Sequence, residues 1–209
     1  KLASDKVLKC RSAKESSPIP RMIENFNFIT KVYYLLNTHL KLGVNIHQAG
    51  EWLLDNYYVI EETVKEVRKN LPLKKYINFV GISTGKYKGY ARIYILAEEI
   101  VSFTDGNLKA KDLEEYLISY QNKKTLNMEE IWDINLFFKI ALVERIKDIC
   151  TRIYASQMQK IKVESIIERL VESKSKDELK FKVPSHEYVR EVQTYSENKY
   201  TFIEYMSYR

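Results

Sequence analysis

The chain has 209 residues and a mass of 24.8 kDa, enough for one large domain or two small ones with a substantial core. Its 34 Lys and Arg against 28 Asp and Glu give a net charge of +6, interleaved along helical faces rather than gathered in blocks, so nucleic acid is not an expected partner. Cys10 and Cys150 stand far apart, which excludes a disulfide framework or zinc knuckle, and the scarcity of glycine (6) and proline (4) favours a mostly helical chain.

The stretch Lys1 to Ser17 is polar and basic, and Ser16-Ser17-Pro18-Ile19-Pro20 reads as a boundary, so residues 1–20 are expected to form a flexible or helical lead-in. From Met22 to Leu40, Ile23, Phe26, Ile29, Val32, Tyr33, Leu36 and Leu40 keep helical spacing, and Leu42-Gly43 closes that helix. A second stripe, Ile46, Ala49, Leu53, Tyr57, Ile60, Val64, Val67 and Leu71, commits one face of a long helix to a core and stops at Pro72. Beside it, Glu51, Asp55, Tyr58 and Glu62 fall at steps of four, three and four, setting carboxylates and a phenol along one line. Like charges at that spacing repel, so a basic group or a hydroxyl-rich ligand is expected to face them.

Pro72 to Gly89 reads as the main loop. Its Gly81-Ile-Ser-Thr-Gly85-Lys86 is not a phosphate-binding loop, because one residue is missing between the glycines and Tyr87 stands where a magnesium ligand is needed. Tyr90 to Thr104 is apolar almost all round, as in a central bundle helix, yet it carries Arg92, Glu98 and Glu99 towards an interior where charges need partners. Asp105-Gly106 ends it, and Leu113, Tyr116, Leu117 and Tyr120 mark a short helix. Asn127, three residues before Glu130, has the spacing of a helix cap. The long helix that follows is apolar on most sides through Ile131, Trp132, Ile134, Leu136, Phe137, Phe138, Ile140 and Val143, then one-sided through Ile146, Ile149, Cys150 and Ile153.

Met158, Ile161, Ile166, Ile167 and Leu170 continue as a more exposed helix. Residues 173–184 read as a charged linker, and 185–209 as an amphipathic helix whose Tyr188, Val192, Tyr195, Phe202, Ile203 and Met206 either await a partner or fold back. The sum is an all-α fold, a bundle of about six to eight helices without significant sheet, its core spanning residues 21–172. Both ends look cut, and no secretory leader is visible. The run Ile134 to Val143, broken by Asn135 and Lys139, is too short to span a membrane.

His39, His47 and His186 lie in stretches without a nucleophile motif, and His39 and His47 read as helix-end caps rather than metal ligands. Neither a metal nor a cofactor is called for. Carboxylate-pair chemistry on a sugar stays open, because Glu51, Asp55, Glu62, Glu98, Glu99, Glu129, Glu130 and Asp133 accompany Trp52, Tyr58, Tyr94 and Trp132. Two working carboxyls need about 5–10 Å between them, a distance that only the fold can supply.

Pro20-Arg21, GEWLLDNYYVIEE at Gly50 to Glu62, Leu71-Pro72, GYARIYILAEEIVSFTDG at Gly89 to Gly106, YQNKKTLNMEEIW at Tyr120 to Trp132 and IALVERIKDIC at Ile140 to Cys150 occur in that order. This succession resembles the helical N-terminal region of cyclic β-1,2-glucan synthases over about two thirds of the chain, a broader signal than any short motif. Where that family is expected to read Gly-Tyr-Pro-Arg, this chain has Gly89-Tyr90-Ala91-Arg92, losing a helix-start proline and keeping Tyr90 and Arg92.

The resemblance implies a parent that is a large membrane glycosyltransferase, using UDP-glucose to build a cyclic glucan with machinery downstream of this region. No Asp-x-Asp triplet for a nucleotide sugar is present here. The expected role is therefore a non-catalytic accessory or scaffold module, soluble itself, at the cytoplasmic side of the cell membrane. Its expected partners are the downstream domains of the same synthase, together with β-glucan or the membrane surface, which the basic residues of Lys1 to Lys14 would contact. The alternative is a carbohydrate-binding or carbohydrate-processing domain that uses the acidic and aromatic cluster directly. Under the module reading, Arg92 is expected to pair with Glu51 or Asp55, with Trp52 and Trp132 filling space between the central helices.

Overall fold

The computed structural model describes residues 7–9 and 17–174; of the linker expected over 173–184 only Ser173 and Lys174 are described, as the end of the longest helix, and the rest of it, the helix expected over 185–209 and most of the basic lead-in lie outside the described residues. Among the described residues the fold is all-α. Helices α1 (Pro18–Lys41), α2 (Gln48–Asn70), α3 (Leu73–Tyr76), α4 (Arg92–Phe103), α5 (Ala110–Gln121) and α6 (Met128–Lys174) are joined by one short antiparallel ribbon of β1 (Val7–Lys9) and β2 (Val80–Ile82). The ribbon pairs Val7 with Ile82 and Lys9 with Val80. The chain divides into two compact units, Lys1–Cys150 and Thr151–Arg209.

Local chemistry sets the helix limits. The α1 helix begins at Pro18, within the expected lead-in and three residues before the expected start of the core at residue 21, because the Ser17 hydroxyl accepts from the Ile19 amide while Pro18 supplies a pre-set φ at the first turn. It ends where Gly43 turns left-handed (φ 72°). His47 caps α2, its Nδ1 accepting the Ala49 amide at 3.2 Å. The helices α1 and α2 form an antiparallel pair, with Tyr57 stacked on Tyr33 at 4.0 Å and its hydroxyl 2.8 Å from Thr30 Oγ1. Gly50 lets them approach closely: a Cβ there would lie 2.6 Å from Ile46 Cγ2 and 3.3 Å from Leu36 Cδ1.

The region 72–89 is more ordered than the loop expected from its glycines and lysines. It holds α3 and β2, then returns through Gly85 and Gly89 in the left-handed region so that Gly89 donates to the Ile82 carbonyl and Ile82 to the Tyr90 carbonyl. Tyr76 and Phe79 from this segment are fully buried and meet Phe137 of α6 at 6.3 and 5.0 Å between ring centres. They form the aromatic heart of the core, a role the periodicity of the flanking helices does not announce.

The α4 helix is central, as its sequence implied: Ala91–Ala97, Ile100 and Val101 are all buried. Opposite it on α6, Leu136, Phe137, Phe138, Ile140, Ala141 and Val143 are buried, but Ile131 and Trp132, expected in the same core, are exposed. The first turns of α6 therefore bury one side only. No helix break separates the two apolar segments expected on either side of Ile153, and α6 runs through to Lys174. In the second unit, Ile153, Gln157 and Val163 are buried. Among the described residues no helix is long and apolar enough to cross a membrane.

Ala91 stands at the cap of α4 with no side chain to contribute, and its buried amide donates instead to the Tyr76 hydroxyl at 3.0 Å. A proline there has no N–H to satisfy and would accept the observed φ of −61°. Tyr76→Phe is expected to cost about 1–3 kcal/mol, the penalty of an orphaned buried donor, and distinctly less in an Ala91→Pro background. Urea denaturation of the four members of this double-mutant cycle measures the difference; equal costs in both backgrounds would remove the Tyr76–Ala91 bond from the account.

Candidate functional site

The long helix begins on a reciprocal cap: Asn127 Oδ1 accepts the Glu130 amide at 2.8 Å, and Glu130 Oε2 accepts the Asn127 amide at 2.8 Å. The same Glu130 carboxylate, with no solvent exposure, takes both arms of Arg92, Nε at 2.7 Å and Nη2 at 2.6 Å, while Nη2 also donates to the Thr125 carbonyl at 2.9 Å. Arg92 is thus satisfied by a bidentate pair, and those hydrogen bonds hold its guanidinium pKa above the ordinary value despite burial. The partners expected from sequence, Glu51 and Asp55, are not used. They point into solvent from α2, whose inward face is already filled by Leu53, Ile60, Val64 and Val67.

A second cluster joins α1, α4 and α6. Arg21 Nε donates to Glu144 Oε1 at 2.8 Å, Arg21 Nη2 donates to the Tyr94 hydroxyl, and that hydroxyl donates to both Glu144 oxygens at 3.1 and 3.2 Å. Burial pushes the Glu144 pKa up, against the pull of Arg21, and Glu98 adds to the rise. The Tyr94 phenol is raised first by burial and then by the negative charge of Glu144, so it stays protonated and acts as donor. Two further ties, Lys75 to Asp133 at 2.7 Å and Lys139 to Glu66 at 2.6 Å, fasten α3 and α2 to α6.

The candidate acids do not converge. Glu51, Asp55 and Glu62 share an exposed line on α2 with Tyr58, Glu98 is half-buried, Glu99 and Glu129 are exposed, and Glu130 and Asp133 are held in ion pairs. Trp52 and Trp132, expected between the central helices, are 51% and 74% exposed, because Phe79 and Phe137 already fill that space. Tyr90 is half-buried, 5.7 Å from the ring of Tyr94. Two open grooves among the described residues, of about 580 and 540 Å³, are lined by none of these acids. Among the described residues no group of His, Cys, Asp or Glu could hold a metal ion, and burial lifts the Cys150 thiol to about 12, far from thiolate chemistry.

Sequence reasoning passed over Arg21 and Glu144. A signal was present: Glu130, Phe137 and Glu144 recur at intervals of seven, so Glu144 is in phase with a fully buried phenylalanine. A carboxylate on a core line calls for a cation, and Arg21 at the start of α1 supplies it.

The geometry defines an all-α bundle whose interior acids are consumed in ion pairs and caps. No protein-family model matches the chain. It is similar to the cyclic beta-(1,2)-glucan synthase NdvB of Rhizobium meliloti (strain 1021), with 27% identity over 148 residues, 71% of the chain. The chain spans only 5% of the length of that relative.

Replacing Arg92 by Leu strands a fully buried carboxylate and is expected to lower stability by about 3–5 kcal/mol, with much of that recovered on adding Glu130→Gln. Glu51→Gln and Asp55→Asn, on the exposed line, are expected to stay within about 0.5 kcal/mol of the parent. Urea unfolding of each variant tests both, and an unchanged midpoint for Arg92→Leu would contradict the lock.

For Glu144, the folded state favours the protonated acid, so its contribution to stability is fully present below the ordinary value of 4.5 and lost as pH rises through the raised pKa. The unfolding free energy of the parent minus that of Glu144→Gln is therefore expected to fall as pH is raised from 4.5. Denaturant titrations of both proteins across the acid range read this difference directly, and a rising difference would reverse the assignment.

Proposed function

We propose that this chain is a non-catalytic helical accessory module of a cyclic β-1,2-glucan synthase, one that packs against the remaining domains of the enzyme at the cytoplasmic membrane face. The parent would build cyclic glucan from UDP-glucose; this part would serve assembly. The observation that carries the reading is the fate of the core acids: Glu130 and Glu144 close on Arg92 and Arg21 rather than opening as a pair onto a cleft. The similarity to a short portion of a much longer synthase supports the same view, since a bundle of this kind accounts for a twentieth part of such a chain without needing chemistry of its own. Exposed Ile131 and Trp132 at the start of α6, and Leu73 and Ile77 on and just after α3, supply apolar surface for contact with other domains.

The rival is a carbohydrate-binding or carbohydrate-processing unit that works directly through the acidic and aromatic cluster, Glu51, Asp55 and Glu62 with Trp52. The isolated chain is expected to release no UDP from UDP-glucose and to show no saturable change in tryptophan emission with it. In a synthase that carries this region, Arg92→Leu is expected to reduce the amount of assembled enzyme in membranes while leaving the turnover of the surviving enzyme unaltered. UDP release by the isolated chain, lost on Glu51→Gln, would replace the module reading with the rival.

A further inference from the structure

One surface combines aromatic and polar groups that the bundle does not use. Phe103, the last residue of α4, is 77% exposed, an unusual position for a phenylalanine at the end of the most buried helix. Its ring meets Tyr116 of α5 edge-on, with centroids 5.6 Å apart and planes at 71°. Between them the chain reverses through Asp105 and Gly106, both left-handed, so the start of α5 is set beside the end of α4. The result is an open groove of about 580 Å³, within the usual range of about 300–1,000 Å³ for small-ligand sites.

The polar lining is uncommitted. Asp112, Glu115 and Ser119 follow one another at helical steps on the α5 face that carries Tyr116, and Asn107 and Lys109 rise from the connecting turn. None of these five side chains has a hydrogen bond or ion pair among the described residues, in contrast to the paired acids of the core. A flat apolar ring flanked by carboxylates, an amide, a hydroxyl and an ammonium offers acceptors and donors around a hydrophobic face. That set matches a pyranose, which has an apolar C–H face and a rim of hydroxyls that both donate and accept. An organic cation would also suit two acids and two rings, but it would meet Lys109 in the same groove.

The geometry points to the α4–α5 groove as a saccharide-binding site, with Phe103 as the stacking platform and Asp112, Glu115 and Asn107 as hydroxyl partners. The groove's capacity for a pyranose stands on its own lining; the choice of a β-1,2-linked glucan as its occupant rests on the module reading. It is a binding site without chemistry, and it lies apart from the exposed acidic line of α2.

Calorimetric titration of the whole 209-residue chain with β-1,2-linked gluco-oligosaccharides tests this, with β-1,4- and α-1,4-linked gluco-oligosaccharides and choline as comparators. Saturable binding of the β-1,2-linked series is expected, weakened severalfold and up to about tenfold by Phe103→Ala, in line with the energy of one aromatic stacking contact, and weakened also by Asp112→Asn with Glu115→Gln. Because Phe103 is so exposed and its ring contact is the edge-to-face one with Tyr116 described above, its truncation is expected to lower the thermal midpoint by no more than a few degrees, which separates lost binding from lost folding. Absence of saturable saccharide binding, binding indifferent to Phe103→Ala but abolished by Trp52→Ala, or preferential binding of choline would each overturn the assignment. Binding confined to another glucose linkage would keep the groove and remove β-1,2-glucan as its occupant. The module reading is judged separately by UDP release and enzyme assembly, so the two can fail independently.

Discussion

The pairing of Arg92 with Glu130 is the constraint on which the rest of the bundle depends. One carboxylate closes the first turn of the longest helix and, through the same oxygens, grips the first residue of the most buried one. A change in the register of α6 would leave Glu130 without either partner, and a fully buried carboxylate deprived of its cation is among the costlier defects a core can hold. The pair need not add much net stability over an apolar isostere. Its effect is to make alternative packings of α4 on α6 expensive, which an interface built from interchangeable Ile, Leu and Val would not do alone.

The Arg21–Tyr94–Glu144 cluster then ties α1 into the same arrangement. Tyr94 sits two residues beyond Arg92, and Glu144 lies four helical turns beyond Glu130 on the same line of α6, so the two polar contacts fix the angle as well as the distance between α4 and α6. Each cluster mixes formal charges with a backbone or phenolic group that takes up further hydrogen-bonding capacity; this lets Arg92 and Glu130 sit deep in an otherwise apolar bundle, while Arg21 reaches Glu144 from the partly exposed rim. The apolar knot of Tyr76, Phe79 and Phe137 gives these contacts a rigid backing.

Helices were legible in the sequence because the apolar period of 3.6 persists over α1, α2 and α6 and because Gly43, Pro72, Gly106 and the Asn127–Glu130 spacing punctuate them. The presence of charge in the core was legible too, from Arg92 within an apolar run. Its partner was not. Pairing across helices depends on rotation about each axis, and periodicity assigns a residue to a face without saying which other helix meets that face. Trp52 and Trp132 show the same limit from the apolar side: large rings beside a core stripe look like core, yet space between helices is finite and the segment from Tyr76 to Phe79 had already taken it. The stretch from Pro72 to Gly89 reads as loop because its three glycines and several lysines mask a pair of rings too close in sequence to show any period.

The α4–α5 turn illustrates why the groove could not be read beforehand either. Tyr116 belongs to an ordinary amphipathic helix and Phe103 to an ordinary buried one; only the left-handed conformations of Asp105 and Gly106 bring the two rings edge to face. Among the described residues the acids include three populations that differ in environment: those clamped by arginine or lysine, those on the solvated line of α2, and those beside the aromatic floor of the groove. Sequence counts lump all three as an acidic and aromatic cluster. Function separates them according to whether a cation within the fold has already claimed the carboxylate, and in the groove none of the described residues has done so.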